Sequence, residues 1–176
     1  MPWLAPAAQA RHSWVEPQRK PSNRRSHVGA QEVAERRADS LKKLHTLIET
    51  RTRTLVLFSQ LIGLRPFEPG EETEALLQEF CETLVDYTAS AHFQLYRFIE
   101  EGTERRQAVK VAAAEVYPRI TELTRHILDF NDKYDGESRV EDTAALDRDL
   151  SFLGEVLADR IAAEDRILEA LTSSRR

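Results

Sequence analysis

Apolar residues recur at intervals of three and four over most of the chain after residue 30, which is the spacing of one face of an α-helix. The alternation of apolar and polar residues that is typical of a half-buried β-strand does not occur over any comparable length. The pattern predicts four long helices, at about 31–62, 71–100, 103–133 and 142–171. Long helices joined by short loops pack as an antiparallel four-helix bundle, so the predicted fold is all-α.

The spacing also predicts which residues form the core. On the first helix the predicted core face is Leu41, Leu44, Ile48, Leu55, Phe58 and Ile62, and on the last helix it is Leu146, Leu150, Leu153, Leu157, Ile161, Leu168 and Leu171. Gly63 and Pro66 end the first helix, because glycine favours the C-terminal cap and proline cannot continue the helix. Pro118 falls inside the third segment, where its missing amide hydrogen predicts a kink or a break.

The second predicted helix carries a semi-apolar face in addition to its core face. The core face consists of Leu76, Phe80, Leu84, Tyr87, Ala91, Leu95 and Phe98. The second face consists of Asp86, Ala89, Ser90, Phe93 and Arg97. An apolar face that remains outside the core, rimmed by polar residues, is typical of a protein interaction surface. We therefore expect a partner surface on this helix rather than a catalytic site.

The first 30 residues differ from the rest of the chain in composition. They hold five basic residues, one acidic residue and four of the seven prolines, which predicts a disordered tail (1–30) before a helical domain (31–173). Val28 would be an alternative start of the chain if its codon were GTG.

The rest of the chain, after residue 30, holds 20 basic and 29 acidic residues, a net charge of −9. An acidic helical domain of this kind favours a basic partner over direct binding of nucleic acid.

Several features point to a soluble cytoplasmic protein. Cys81 is the only cysteine, so it cannot form a disulfide within the chain. Apolar runs fall well short of the roughly 20 residues that a membrane span needs. The opening residues MPWLAPAAQA lack both the basic start and the apolar stretch of a secretory signal.

Four blocks of the sequence resemble the Rsd/AlgQ family, bacterial regulators that bind the primary sigma factor of RNA polymerase. The blocks are LIETRTRTLVLFSQLIGLRP (47–66), FCETLVDYTASAHFQLY (80–96), VYPRITELTRHILDFNDKYD (116–135) and LSFLGEVLADRIAAEDRIL (150–168). They follow the family's order, and the elements LVDY…HF and LGE…R…ED are specific to it. The chain departs from the family at Leu47-Ile48, where a Trp-Leu pair is common, and at Ala91, where glycine is common.

The resemblance implies an anti-sigma factor without catalytic activity or a cofactor. Such a protein would bind the C-terminal region of the primary sigma factor, which reads the −35 promoter element and docks on core polymerase, and would block both contacts. The expected partner surface consists of Asp86, Ser90, Phe93 and Arg97 on the second helix, with Leu47 and Arg51 opposite them on the first helix. Asp86 would pair with an arginine of sigma and Phe93 would be the apolar anchor. The alternative for Asp86 is an ion pair within the chain, for example with Arg51.

Two charged residues fall on core faces and predict internal polar pairs. Arg51 lies between Ile48 and Leu55, and Glu164 lies between Ile161 and Leu168. An unpaired buried charge costs several kcal/mol, so each residue needs a partner. Counting residues from the turns places Glu164 near the level of His92, and Arg51 near Asp86 or Tyr87. We expect these residues to fix the helix register.

Two other classes of function stay open from the sequence. A metal-binding bundle of the hemerythrin or ferritin kind could use His45, Glu49, His92, Glu115 and Glu164, but the paired Glu-x-x-His motifs of di-iron bundles are absent. An adaptor bundle for another basic helical partner is the second class, because fold does not determine function. Nucleophilic catalysis has little support, since Cys81 has no histidine near it in the sequence.

Overall fold

The computed structural model describes residues 24–97, 101–102, 104–136 and 140–173, with the backbone alone for 24–41 and 43. These residues form four α-helices, which we number α1 (Arg24–Gly63), α2 (Glu71–Ala91), α3 (Gln107–Tyr134) and α4 (Thr143–Ser173). A π-helical turn, His92–Tyr96, continues α2. The described part of the chain contains no β-strand. The predicted all-α, antiparallel four-helix bundle is confirmed.

The starts of two helices differ from the prediction. Helix α1 begins at Arg24, so residues 24–30 of the predicted tail are helical, and the remainder of that tail lies outside the described residues. Helix α3 begins at Gln107 rather than near residue 103. It continues through Pro118, which excludes a break at that position. Residues 24–37 belong to a different compact unit from the bundle described below, which belongs to residues 38–173.

Polar contacts connect neighbouring helices around the bundle. The Thr54 hydroxyl on α1 donates a hydrogen bond to the Thr83 carbonyl oxygen on α2, at 3.3 Å. Arg119 on α3 donates to the Asp159 carboxylate on α4, at 2.6 Å. At the start of α4 the Asp142 carboxylate accepts the Ala145 amide hydrogen, as expected of an N-cap residue.

The core lies along the bundle axis and consists mainly of leucine and aromatic side chains. The Phe80 ring lies 5.8 Å from that of Phe58 and 6.1 Å from that of Phe130, which joins α2 to α1 and to α3. Full burial of one such side chain contributes roughly 1.5–3 kcal/mol. Other fully buried residues are Leu47, Leu61, Leu84, Leu123, Ile127, Leu146, Leu150, Leu153 and Leu157.

The predicted core face of α1 is confirmed at Phe58 and Ile62, which pack against the core, and is wrong at Ile48 and Leu55, which are exposed. The side chain of Leu41 lies outside the described residues. The side chains that the structure shows buried on this helix are Leu47, Thr54, Leu57 and Leu61. Apolar residues occur in adjacent pairs along this helix, so the period of the pattern allows two phases, and the packing of the neighbouring helices selects one of them.

No helix in the described residues combines the length and the apolar character that crossing a membrane would require.

Candidate functional site

The most exposed large apolar side chain that the structure describes is Phe93, at 56% exposure. It lies in the π-turn, and its ring makes an edge-to-face contact with that of His92, with 5.3 Å between the centroids. An aromatic ring of this size, left in water on a rigid helix, is a typical anchor for a protein partner.

Phe93 borders a groove between α2 and α3 with a volume of about 560 Å³. Its rim includes the partly exposed apolar side chains of Val85 and Leu128, and its floor includes Tyr96. Of the predicted second face, Ala89 and Phe93 line the groove, whereas Asp86 and Ser90 lie outside it.

The other predicted partner residues of α2 lie in different environments. Asp86 is exposed, and Ser90 is half-buried with an Oγ atom that has no hydrogen-bond partner among the described residues. Arg97 is exposed, and its Nε atom donates to the Glu101 carboxylate at 2.7 Å. Asp86 and Phe93 thus remain available on the surface, while Arg97 is engaged in an ion pair.

The two residues predicted on the first helix do not join this surface. Leu47 is fully buried, so its predicted contact with a partner is corrected to a role in the core. Arg51 is partly buried and its Nη1 atom donates to Asp165 on α4, at 2.7 Å, rather than to Asp86. Helix packing turns Arg51 towards α4 because the core face of α1 differs from the predicted one.

Glu164, for which an internal polar partner near the level of His92 was expected, lies in a buried network that includes Tyr87. The Glu164 carboxylate accepts a hydrogen bond from the Tyr87 hydroxyl at 2.7 Å and another from the Tyr96 hydroxyl at 3.2 Å. The Arg160 Nε atom donates to the same carboxylate at 3.0 Å, and its Nη1 atom donates to the Thr124 hydroxyl at 2.6 Å. The network joins α2, α3 and α4 at one level of the bundle.

Burial determines the electrostatics of this network. Loss of water raises the pKa of the Glu164 carboxyl, although the charge of Arg160 and the hydrogen bond from Tyr87 act in the opposite direction. Burial, with the nearby charge of Glu164, also raises the pKa of the Tyr87 and Tyr96 hydroxyls. The tyrosines therefore stay protonated and act as hydrogen-bond donors to Glu164.

The residues of the rival metal site are dispersed. His92 is exposed, and so is His45, whose Nδ1 atom lies 3.3 Å from the Glu49 carboxylate. Glu115 pairs with Arg166. Among the residues that the structure describes, no group of three or more His, Cys, Asp or Glu side chains could hold a metal ion.

The sequence analysis did not identify Arg160, and it did not assign Tyr96 to a polar network. Arg160 is 1% exposed and belongs to the true core face of α4, whose residues Val156, Arg160, Ala163 and Ile167 are spaced four, three and four apart. This alternative spacing was the available signal for Arg160. Tyr96 enters the core through the π-turn, which the periodicity of a regular helix does not predict.

Comparison with known proteins identifies the family to which this arrangement belongs. Residues 28–172 match the family model described as "Regulator of RNA polymerase sigma(70) subunit, Rsd/AlgQ". The chain belongs to the Rsd/AlgQ family. No solved structure matches it.

Three relatives of this Rsd/AlgQ chain each bear the name "Regulator of sigma D". The relative from Yersinia enterocolitica is 32% identical over 127 residues, which cover 69% of this chain and 75% of the relative. The relative from Enterobacter sp. (strain 638) is 32% identical over 149 residues, or 77% and 84% of the two chains. The relative from Salmonella paratyphi A is 30% identical over 146 residues, or 77% and 85%.

Proposed function

We propose that this Rsd/AlgQ chain is an anti-sigma factor that binds the C-terminal region of the primary sigma factor. Bound in this way, it would block the contacts of that region with the −35 promoter element and with core polymerase. Polymerase would then become more available to alternative sigma factors. Membership of the family supports the regulation of the sigma(70) subunit. Binding to the C-terminal region of that subunit is the part that the proposal adds.

The exposure of Phe93 carries the proposal. A phenylalanine that is 56% exposed loses a large unfavourable contact with water when a partner covers it. Asp86 is exposed on the same helix and could pair with a basic side chain of the partner. An aromatic anchor close to a charged group is the combination that hot spots of protein interfaces favour.

The charge of the chain supports the same class of partner. Beyond its first 30 residues it holds 20 basic and 29 acidic residues. A protein module that binds DNA carries arginine and lysine for the phosphates, so its surface is complementary to an acidic one. Association should then be faster, and tighter, at low ionic strength.

Isothermal titration calorimetry of the full chain against the isolated C-terminal region of the cognate primary sigma factor tests the proposal. The experiment is run at about 0.1 M and at about 1 M salt, between which the Debye length falls from about 10 Å to about 3 Å. We expect saturable binding with one sigma region per chain, and weaker binding at the higher salt concentration. The matched control is the same sigma factor without its C-terminal region, which should not bind.

Two results would contradict the proposal in different ways. Equal binding to sigma with and without its C-terminal region would support sigma as the partner, but would show that the C-terminal region is not the binding site. Absence of binding to intact sigma, with the circular dichroism spectrum of a folded helical protein, would reject the anti-sigma function and favour an adaptor for another basic partner.

A further inference from the structure

The π-turn changes which residues of the second helix face the core. In a regular α-helix the residue five positions after Ala91 points about 140° away from it, so Tyr96 would face water. A π-turn closes with hydrogen bonds between residues five apart, which widens the turn and brings the fifth residue back towards the face of the first. The Arg97 amide accordingly donates to the His92 carbonyl oxygen. As a result Ala91 and Tyr96 are both buried.

The side chain of Tyr96 connects this turn to the opposite helix. Its hydroxyl donates to the Glu164 carboxylate on α4 at 3.2 Å, and its ring stacks edge-to-face with that of Tyr117 on α3, with centroids 6.2 Å apart. Glu164 is held by the buried Arg160 at the same time. Tyr96 therefore attaches the turn to the polar network at the centre of the bundle, and Leu95 of the same turn packs in the apolar core.

The same turn determines where Phe93 points. Asp86 and Phe93 are seven residues apart and would share one face of a regular α-helix. With the π-turn, Phe93 lines the groove against α3 and Asp86 lies outside that groove. Phe93 itself is the second residue of the turn, so its direction depends on the geometry of the turn.

We propose that Tyr96 and Glu164 are positioning residues for the partner surface, because they hold the π-turn His92–Tyr96 and so set the direction of Phe93. The proposal rests on the proposed function for the identity of the partner. π-Turns inside α-helices frequently occur at functional sites, and here the turn contains the most exposed aromatic residue of the described chain.

The test compares Tyr96→Phe with Tyr87→Phe in the full chain. Each variant removes one hydroxyl that donates to Glu164, but Tyr87 lies in the regular part of α2 and Tyr96 lies in the turn. A general loss of core stability would affect sigma binding in both variants. A positioning role would affect it in Tyr96→Phe alone.

Two readouts are measured. Hydrogen exchange by NMR reports the Arg97 amide, which makes the hydrogen bond of the π-turn. We expect its protection to fall about tenfold in Tyr96→Phe and to stay unchanged in Tyr87→Phe. The dissociation constant for the C-terminal region of sigma should rise about three- to tenfold in Tyr96→Phe, the effect expected of one hydrogen bond, and should stay within twofold in Tyr87→Phe. In a Phe93→Ala background Tyr96→Phe should have no further effect on binding.

The outcomes separate this proposal from the proposed function. Unchanged protection of the Arg97 amide in Tyr96→Phe would overturn the positioning role. So would sigma binding that falls equally in Tyr96→Phe and Tyr87→Phe, or that stays at the wild-type level in both. If the wild-type chain does not bind sigma, the proposed function and the role of Tyr96 towards that partner both fail, while the amide exchange still decides whether Tyr96 holds the turn.

Discussion

Arg160 and Glu164 form an ion pair that is closed off from water, with 3.0 Å between Nε and Oε1 and exposures of 1% and 0%. They are four residues apart on α4, so the helix itself brings them together. Removing two charges from water costs several kcal/mol for each ion, and further hydrogen bonds are needed to offset this cost. Tyr87, Tyr96 and Thr124 make those hydrogen bonds, which links the pair to two other helices.

Removal of one partner of this pair should strongly destabilise the bundle. Arg160→Ala leaves the Glu164 carboxylate buried without its cation, and we expect the free energy of unfolding to fall by about 3–5 kcal/mol. Urea denaturation followed by circular dichroism measures the change. The control is Arg119→Ala, which removes an exposed ion pair with Asp159 and should cost no more than about 1 kcal/mol. Equal losses in the two variants would show that the buried pair has no special role.

Phe93→Ala should weaken binding of the C-terminal region of sigma by about 1–3 kcal/mol, or about 5- to 150-fold, because it removes the proposed apolar anchor. Phe152→Ala is a closely matched control. Phe152 is 51% exposed and also makes an edge-to-face contact with a histidine, His126, but it lies on α4. Calorimetry should give unchanged affinity for this control. If both variants weaken binding equally, or if neither does, Phe93 is not the apolar anchor of the interface.

Asp86→Asn should weaken the same complex and reduce its salt dependence, because the variant removes a charge and nearly preserves the shape of the side chain. We expect a loss of roughly 1–3 kcal/mol at low salt and a smaller loss at about 1 M salt. Asp132→Asn, which removes another exposed carboxylate on α3, is the control for net charge. If the two variants lower the affinity equally, only the overall charge of the chain matters and Asp86 makes no specific contact.

The Cys81 thiol should react only when the bundle opens. Burial raises its pKa to about 12, with smaller contributions from the charges of Asp135 and Glu82. At pH 8 the thiolate population is then about a thousandfold lower than at its ordinary pKa of 9.0, and the thiolate is the reactive form. We expect little reaction with a disulfide reagent in the native state and rapid reaction in denaturant. Rapid reaction of the native protein at pH 8 would contradict the described burial.

The raised pKa of Cys81 also has a defined effect on stability. Because the pKa is higher in the folded state than in the unfolded state, the contribution of the protonated thiol is complete below about pH 9 and is lost as the pH rises towards 12. The free energy of unfolding should therefore decrease over this interval. In the same denaturation series the free energy of unfolding of Cys81→Ala should decrease less steeply with pH. Identical slopes for the variant and the wild-type chain would exclude the effect.

Particular residues illustrate how far sequence reasoning extends at the site. The exposure of Phe93 and Asp86 agrees with the second face predicted on this helix, because polar neighbours keep that face out of the core. The need of Glu164 for an internal polar partner was also predicted, since a buried charge requires one, but the sequence did not identify Tyr87 as that partner. Arg51 was assigned to the wrong helix, because several carboxylates lie within reach of a long side chain and only the packing selects Asp165.

The sequence by itself determined the four helices, the all-α bundle and the family, because helix periodicity and turn residues follow from local backbone geometry. Tertiary structure alone decided the core phase of α1, where Leu47 rather than its neighbour Ile48 is buried. It also decided that Tyr96 turns inward through a π-turn to reach Glu164. These choices depend on which neighbouring helix offers space and a hydrogen-bond partner, and local periodicity contains no information about either.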